Sequence, residues 1–237
     1  MTKKALYTSI TLALTMQFSQ VATVQAEIVD IEITNLTHAM HFTPLVITAH
    51  DSETSLFVAG EAASSELQAM AEGGDISGLE SILSGTSAST ASNPAAGLLA
   101  PTSSTMVSEL DTAENTHLSI VGMILPTNDG FVGLNGWEIP TTPDTYTIYL
   151  NAYDAGTEVN DEIVNGGGAP GAAGIPVIPG MDVTTTASGV TNTEQNTLVH
   201  IHRGNIGDTN TDGGASDLDS RVHRWLNPVA KVVVTVK

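Results

Sequence analysis

Three acidic side chains sit where apolar runs break into turns, a setting that fits divalent-cation chemistry. Asp129 lies in the turn Pro126-Thr127-Asn128-Asp129-Gly130, just before the apolar Phe131-Val132-Gly133-Leu134. Asp154 and Glu158 lie in Tyr153-Asp154-Ala155-Gly156-Thr157-Glu158, directly after a stretch rich in Tyr, Thr and Ile. Calcium takes about six to eight oxygens from carboxylates, carbonyls and water. Carboxylates from neighbouring loops that meet at one tip of a sheet protein would supply the charged part of that shell. Asn-Asp and Asp-Gly pairs also serve as plain turn residues whose side chains bond their own backbone. Spacing alone leaves both readings open.

A second acidic loop and the histidines offer other metal chemistry. Asp208, Asn210, Asp212 and Gly213 follow the D-x-N-x-D-G opening of an EF-hand loop, with Asp219 at the twelfth position. Here, however, a strand enters where a helix should, and an aspartate closes the loop where a bidentate glutamate is usual. A solvated hairpin loop is the expectation. The seven histidines are His38, His41, His50, His117, His200, His202 and His223. His200 and His202 are two apart on an expected strand, so their rings share a face. Neutral imidazole suits copper and zinc, which makes a histidine-based copper or zinc site the alternative to calcium. The chain has no H-E-x-x-H, no G-x-S-x-G, no cysteine nucleophile and no phosphate-binding glycine loop, so no enzyme activity is expected.

The charge balance narrows the partners. The formal net charge is −19, and from Glu27 to His202 there is no Lys or Arg against 22 Asp and Glu. After that stretch come Arg203, Arg221, Arg224, Lys231 and Lys237. Nucleic acid and anionic membrane are poor partners, because binding either depends on cationic contacts, and no membrane span is expected. Self-repulsion of this size calls for external salt that screens it or bound cations that neutralise it locally. A protein or glycan surface partner is compatible with this charge; its identity is not legible.

The elements that must position these residues are mostly strands. Residues 1–26 have the layout of an export signal: Lys3 and Lys4, an apolar run from Ala5 to about Met16, and an A-x-A-like close at Val24-Gln25-Ala26. The run is shorter than the ~20 residues that span a bilayer. The expected domain is residues 27–237, exported to the periplasm or the exterior, with no cysteine to form disulfides. Val29, Ile31 and Ile33 alternate with polar residues, as do Ala230, Val232, Val234 and Val236, the period of strands with one wet face. Strands are also predicted at Phe42–Ala49, Ser55–Ala59, Met106–Leu110, His117–Leu125, Thr145–Tyr153 and Leu198–His202, with a turn at Asn135-Gly136. A helix carrying Ala63, Leu67 and Met70 ends at Gly73-Gly74. A second, capped by Asp75, presents Ile76, Leu79 and Ile82 and ends at Gly85; a loop follows over residues 85–105. Many strands without β-α alternation predict an all-β antiparallel sandwich with a short helical insertion.

Several blocks resemble the spondin-N (F-spondin) domain family, its bacterial secreted branch in particular. They include Asn35-Leu36-Thr37, Phe42-Thr43-Pro44, Ala49-His50-Asp51, Gly60-Glu61-Ala62-Ala63 and Ala71-Glu72-Gly73-Gly74-Asp75. The two acidic turns continue the series, and it ends with His202-Arg203-Gly204, Ser216-Asp217-Leu218-Asp219-Ser220-Arg221 and His223-Arg224-Trp225 through Ala230. The resemblance implies a C2-type-like sandwich with calcium at one end, which in animal members is an extracellular-matrix and adhesion module. It implies Asp129, Asp154 and Glu158 as calcium ligands, with a further acid on the strand before: Glu109, or Asp111 or Glu114 nearby. Gly130 stands where animal members usually carry an aromatic, a departure expected to remove bulk beside the site.

Overall fold

The structure is a computed structural model and describes residues 26–177, 186–210 and 213–237. The expected export signal, all but its last residue, lies outside the described residues. The described chain forms β1 (Ile28–Asn35), β2 (His41–Phe42), β3 (Val46–His50), α1 (Ser65–Gly73), α2 (Ser77–Ser84) and β4 (Ser89–Ser92). It continues with β5 (Ser104–Asp111), β6 (His117–Leu125), β7 (Gly130–Glu138), β8 (Thr145–Asp154), β9 (His200–Ile201) and β10 (Ala230–Val236).

Every pairing between these strands is antiparallel, in the order β4-β3-β6-β7-β8-β10-β1-β5, with β2 on β6 and β9 on β8. β8 joins two layers. Its first half, Thr145 to Leu150, pairs with β10, and its second half, Asn151 to Asp154, pairs with β7. The sandwich core lies between Ile31, Ile33, Val232 and Val234 on one side and Ile47, Ile120 and Ile124 on the other. A second core fills the opposite face of β3, β6 and β7, where Val46, Val121, Met123 and Phe131 meet Leu67, Met70, Leu79 and Leu83 of the helices. β6 is therefore buried on both faces, which accounts for its continuous apolar sequence, whereas β1 and β10 bury every second residue as their alternation predicts.

Four local expectations are corrected. Ser55–Ala59 is irregular: Leu56 and Phe57 are buried, but the Leu56 amide donates to the Asn135 side chain rather than to a ladder. Asn135-Gly136 is a bulge inside β7, where the register with β6 slips between Leu118 and Ile120, Gly136 adopts φ 65° and its amide donates to Ser119 Oγ. Residues 85–105 hold β4, an edge strand whose alternation of half-buried and exposed small residues carries no hydrophobic signal. In α2 the buried face is Leu79 and Leu83, and Ile82 points outward at 49% exposure. Gly74 closes α1 in the left-handed conformation, at φ 71°, where a residue with a side chain would be strained.

The rotation of α2 has a direct test. Leu83→Ala should lower unfolding free energy by about 2–5 kcal/mol, and Ile82→Ala by less than about 1 kcal/mol, in chemical denaturation. Equal costs at the two positions would refute this helix face.

Candidate metal centre

The turn between β6 and β7 is fixed by Thr127, whose hydroxyl donates to the Ile124 carbonyl and accepts from the Gly130 amide at 3.0 Å. Asp129 ends that turn. On the neighbouring strand Asp154 pairs with Gly130, and the Ala155 amide donates to the Asp129 carbonyl at 3.2 Å. Adjacent strand ends thus place the two aspartates side by side. As the chain leaves β8, the amides of Thr157 and Glu158 donate to Asp129 Oδ2 at 2.8 and 3.1 Å, which brings Glu158 to the same place.

All three carboxylates are withdrawn from water, with exposures of 0% for Asp129, 2% for Asp154 and 9% for Glu158. Asp154 Oδ1 accepts from the Gly156 amide and Oδ2 from the Asn160 side chain, with His200 Nε2 3.7 Å from Oδ2. Glu158 Oε1 accepts from Asn128 Nδ2 and from the Gly174 amide. Two oxygens are left over: Asp129 Oδ1 and Glu158 Oε2 are buried and have no hydrogen-bond partner. A buried carboxylate oxygen without a donor is costly, about several kcal/mol if the group is charged.

Proton affinities follow from this enclosure. Burial first, and then the Asp154 charge, push Asp129 up to about 8. Burial, followed by the negative charges of Glu72 and Asp161, pushes Glu158 up to about 7. Asp154 is also raised by burial, against the opposing pull of His200. The ion pairs that Lys and Arg make among the described residues lie elsewhere: Arg221 with Asp219, and Lys237 with Asp30 and Glu109. Acids in this setting favour the protonated form.

The donor set fits a hard cation. The unpartnered oxygens belong to Asp129 and Glu158. Among the described residues no group of three or more His, Cys, Asp or Glu side chains is placed to hold a metal ion. Hydrogen bonds already occupy Asp129 Oδ2, both Asp154 oxygens and Glu158 Oε1. A cation would exchange some of these bonds for coordination, with carbonyls and water completing the shell.

The structure does not bring Glu109 to this place. Glu109 is exposed near the end of β5, its amide donates to Asp30 and its carboxylate lies 3.6 Å from Lys237 Nζ. That end of β5 pairs with the start of β1, which lies beside the end of β10 and the beginning of β8. Asp154 ends β8, so Glu109 stands at the opposite end of the sheet, and Asp111 and Glu114, which follow in the same turn toward β6, stand there with it. Gly130 is tightly packed. A Cβ there would come within 2.7 Å of Thr127 Oγ1 and 3.0 Å of His202 Cδ2, so this packing leaves no room for an aromatic. Asn128, Asn160 and Glu72 join the site without any spacing signal, because only tertiary packing brings them in.

The EF-hand-like loop closes on itself. Asp208 accepts from the amides of Asn210, Ala215 and Ser216, and Asp219 is held by Arg221; Asp212 lies outside the described residues. The buried Glu162 carboxylate takes the Ile206 and Gly207 amides and the Ser216 hydroxyl, anchoring the loop from inside. The histidines are spread out. His50 and His117 stack across β3 and β6 with centroids 6.2 Å apart, His200 faces Asp154, and His202 is buried against Trp225. Burial holds His202 down to about 3, and its Nδ1 accepts from the Gly204 amide.

The comparisons with known proteins bear on the same residues. No curated protein matches the chain. The Spondin_N family model matches residues 34–162, just over half of the chain, a span that includes Asp129, Asp154 and Glu158 and ends before β9 and β10. With an antiparallel sandwich-like fold around that span, the chain belongs to the Spondin_N family.

Proposed function

We propose that this Spondin_N protein is an exported, non-enzymatic calcium-binding module. In this reading the ion locks the ends of β6, β7 and β8, and the stiffened surface serves adhesion or surface association with a protein or glycan partner. The observation that carries it is the pair of buried, unpartnered oxygens on Asp129 and Glu158. Asp129, Asp154 and Glu158 would hold calcium, whose charge would offset theirs. Export and adhesion rest on family membership and on the leader-like residues 1–26; among the described residues no helix is long and apolar enough to cross a membrane.

Because the ligands meet only in the folded chain, binding energy becomes folding stability. Calcium at about a hundredfold over its dissociation constant should raise the melting temperature of metal-free protein by about 5–10 °C. Asp129→Asn should abolish that rise while leaving the metal-free protein at least as stable as wild type, since a neutral amide replaces a buried acid. Equal melting of wild type in calcium and in chelator, at constant ionic strength, overturns the proposal.

Proton linkage gives a second test. The folded-state values of Asp129 and Glu158, about 8 and about 7, lie above the ordinary 3.8 and 4.5. Their contribution to stability is therefore complete only below the ordinary values of 3.8 and 4.5, and is lost progressively as pH rises from there to about 7 and about 8. In chelator, stability should fall over that window. In calcium the fall should be reduced, because the ion takes the place of the protons. Melting series against pH, with and without calcium, should diverge toward alkaline pH; parallel series would refute the linkage.

A further inference from the structure

We infer that Glu72, carried in by the helical insertion, belongs to the charge set of the same cation site and acts on the ion through a loop segment it shares with Glu158. The inference rests on the calcium reading and extends it to a residue from another part of the fold.

Glu72 is out of place as a solvated helix acid. It is fully buried, at 0% exposure, in the last turn of α1, a turn with no basic residue. Negative charge at a helix C-terminus opposes the helix dipole, and burial adds a desolvation cost. Its hydrogen bonds come from neutral groups: Gln68 Nε2 to Oε1 at 2.8 Å and the Gly171 amide to Oε2 at 2.6 Å. Neither supplies a positive charge.

The geometry shows where such a charge would be felt. The Gly171 amide is held by Glu72, and the Gly174 amide by Glu158. One short stretch, Gly171-Ala172-Ala173-Gly174, is therefore gripped at both ends by buried carboxylates from different elements. The approach is as close as backbones allow, since a side chain at Gly73 would overlap the Gly168 carbonyl. A divalent ion at Glu158 would be attracted by Glu72 through a largely dry interior, where Coulomb forces are weakly screened. Glu72 is thus a positioning and charge-setting residue, not a direct ligand.

Calcium titration calorimetry and melting curves of wild type, Glu72→Gln, Glu72→Asp and the surface control Glu53→Gln separate this role from a structural one. Glu72→Gln should weaken calcium binding about tenfold while leaving the metal-free melting temperature unchanged or higher. Glu72→Asp, which keeps the charge, should retain affinity to within about threefold, and Glu53→Gln should match wild type. A Glu72→Gln protein that melts lower in chelator yet binds calcium like wild type overturns the inference and leaves the calcium reading intact. If Glu72→Gln does not fold, a loss of affinity of about tenfold or more in Glu72→Asp overturns the role of charge. Absence of calcium binding by wild type overturns the calcium reading, and this inference with it.

Discussion

The carboxylate of Asp129 is shut away from water in a chain that has almost no cations to pair with it, and much of the surrounding structure follows from how its two oxygens are treated. One oxygen takes consecutive amides from Thr157 and Glu158, which ties the turn after β6 to the segment leaving β8. The other takes nothing. The first oxygen fixes the architecture of this tip and the second leaves it electrically incomplete. The burial of Asp154 and Glu158 beside it compounds the cost, because like charges in a dry site raise each other's proton affinity.

The same scarcity of cations shapes the loops. Where other proteins tether long loops with Lys and Arg, this chain sets carboxylates against backbone N–H groups. Asp51 collects the Glu53 and Thr54 amides, Asp208 collects three amides across its loop, and Glu162 reaches from below to hold the strand-like stretch at Ile206 and Gly207. Amides are fixed in place by the chain and bring no net charge, so these clamps order the loops without neutralising the molecule. The excess of negative charge stays, and screening or bound cations must deal with it.

Much of this was legible in the sequence, and the failures share a cause. Periodicity located β1 and β10 because each has one dry face and one wet face, and the glycine pair after Glu72 located the end of α1. The acidic turns at Asp129 and Asp154 were readable because turn residues interrupt long apolar runs. What the sequence hides is set by packing across distance. Phe57 is buried without belonging to a strand, because its ring sits against Phe131 and Tyr153. The Asn135-Gly136 pair has the composition of a hairpin turn and becomes a bulge because β7 continues along β6 past it. The choice of Ile82 over Leu83 as a core residue reflects a helix of only eight residues, too short for its period to fix its rotation. The resemblance leaves Glu109, Asp111 and Glu114 open as a further acid, and that they stand at the far end of the sheet follows from the pairing of β5 with β1, which the sequence does not show. Glu72 carries no signal of a role in the sequence, since only the fold sets a helix carboxylate beside a loop 99 residues later.

The pairing of β1 with β10 gives the domain a mechanical character. Ile28 and Lys237 are joined by a hydrogen bond, so β1 begins and β10 finishes at the same end of the sheet, opposite the end that carries Asp154. Tension drawn through the two ends would load that ladder one bond at a time, as in opening a zipper, and would not shear the whole strand pair at once. The acidic tip lies outside the path of such a force. A domain pulled in this way would part at its seam while the cluster at the other end kept its shape.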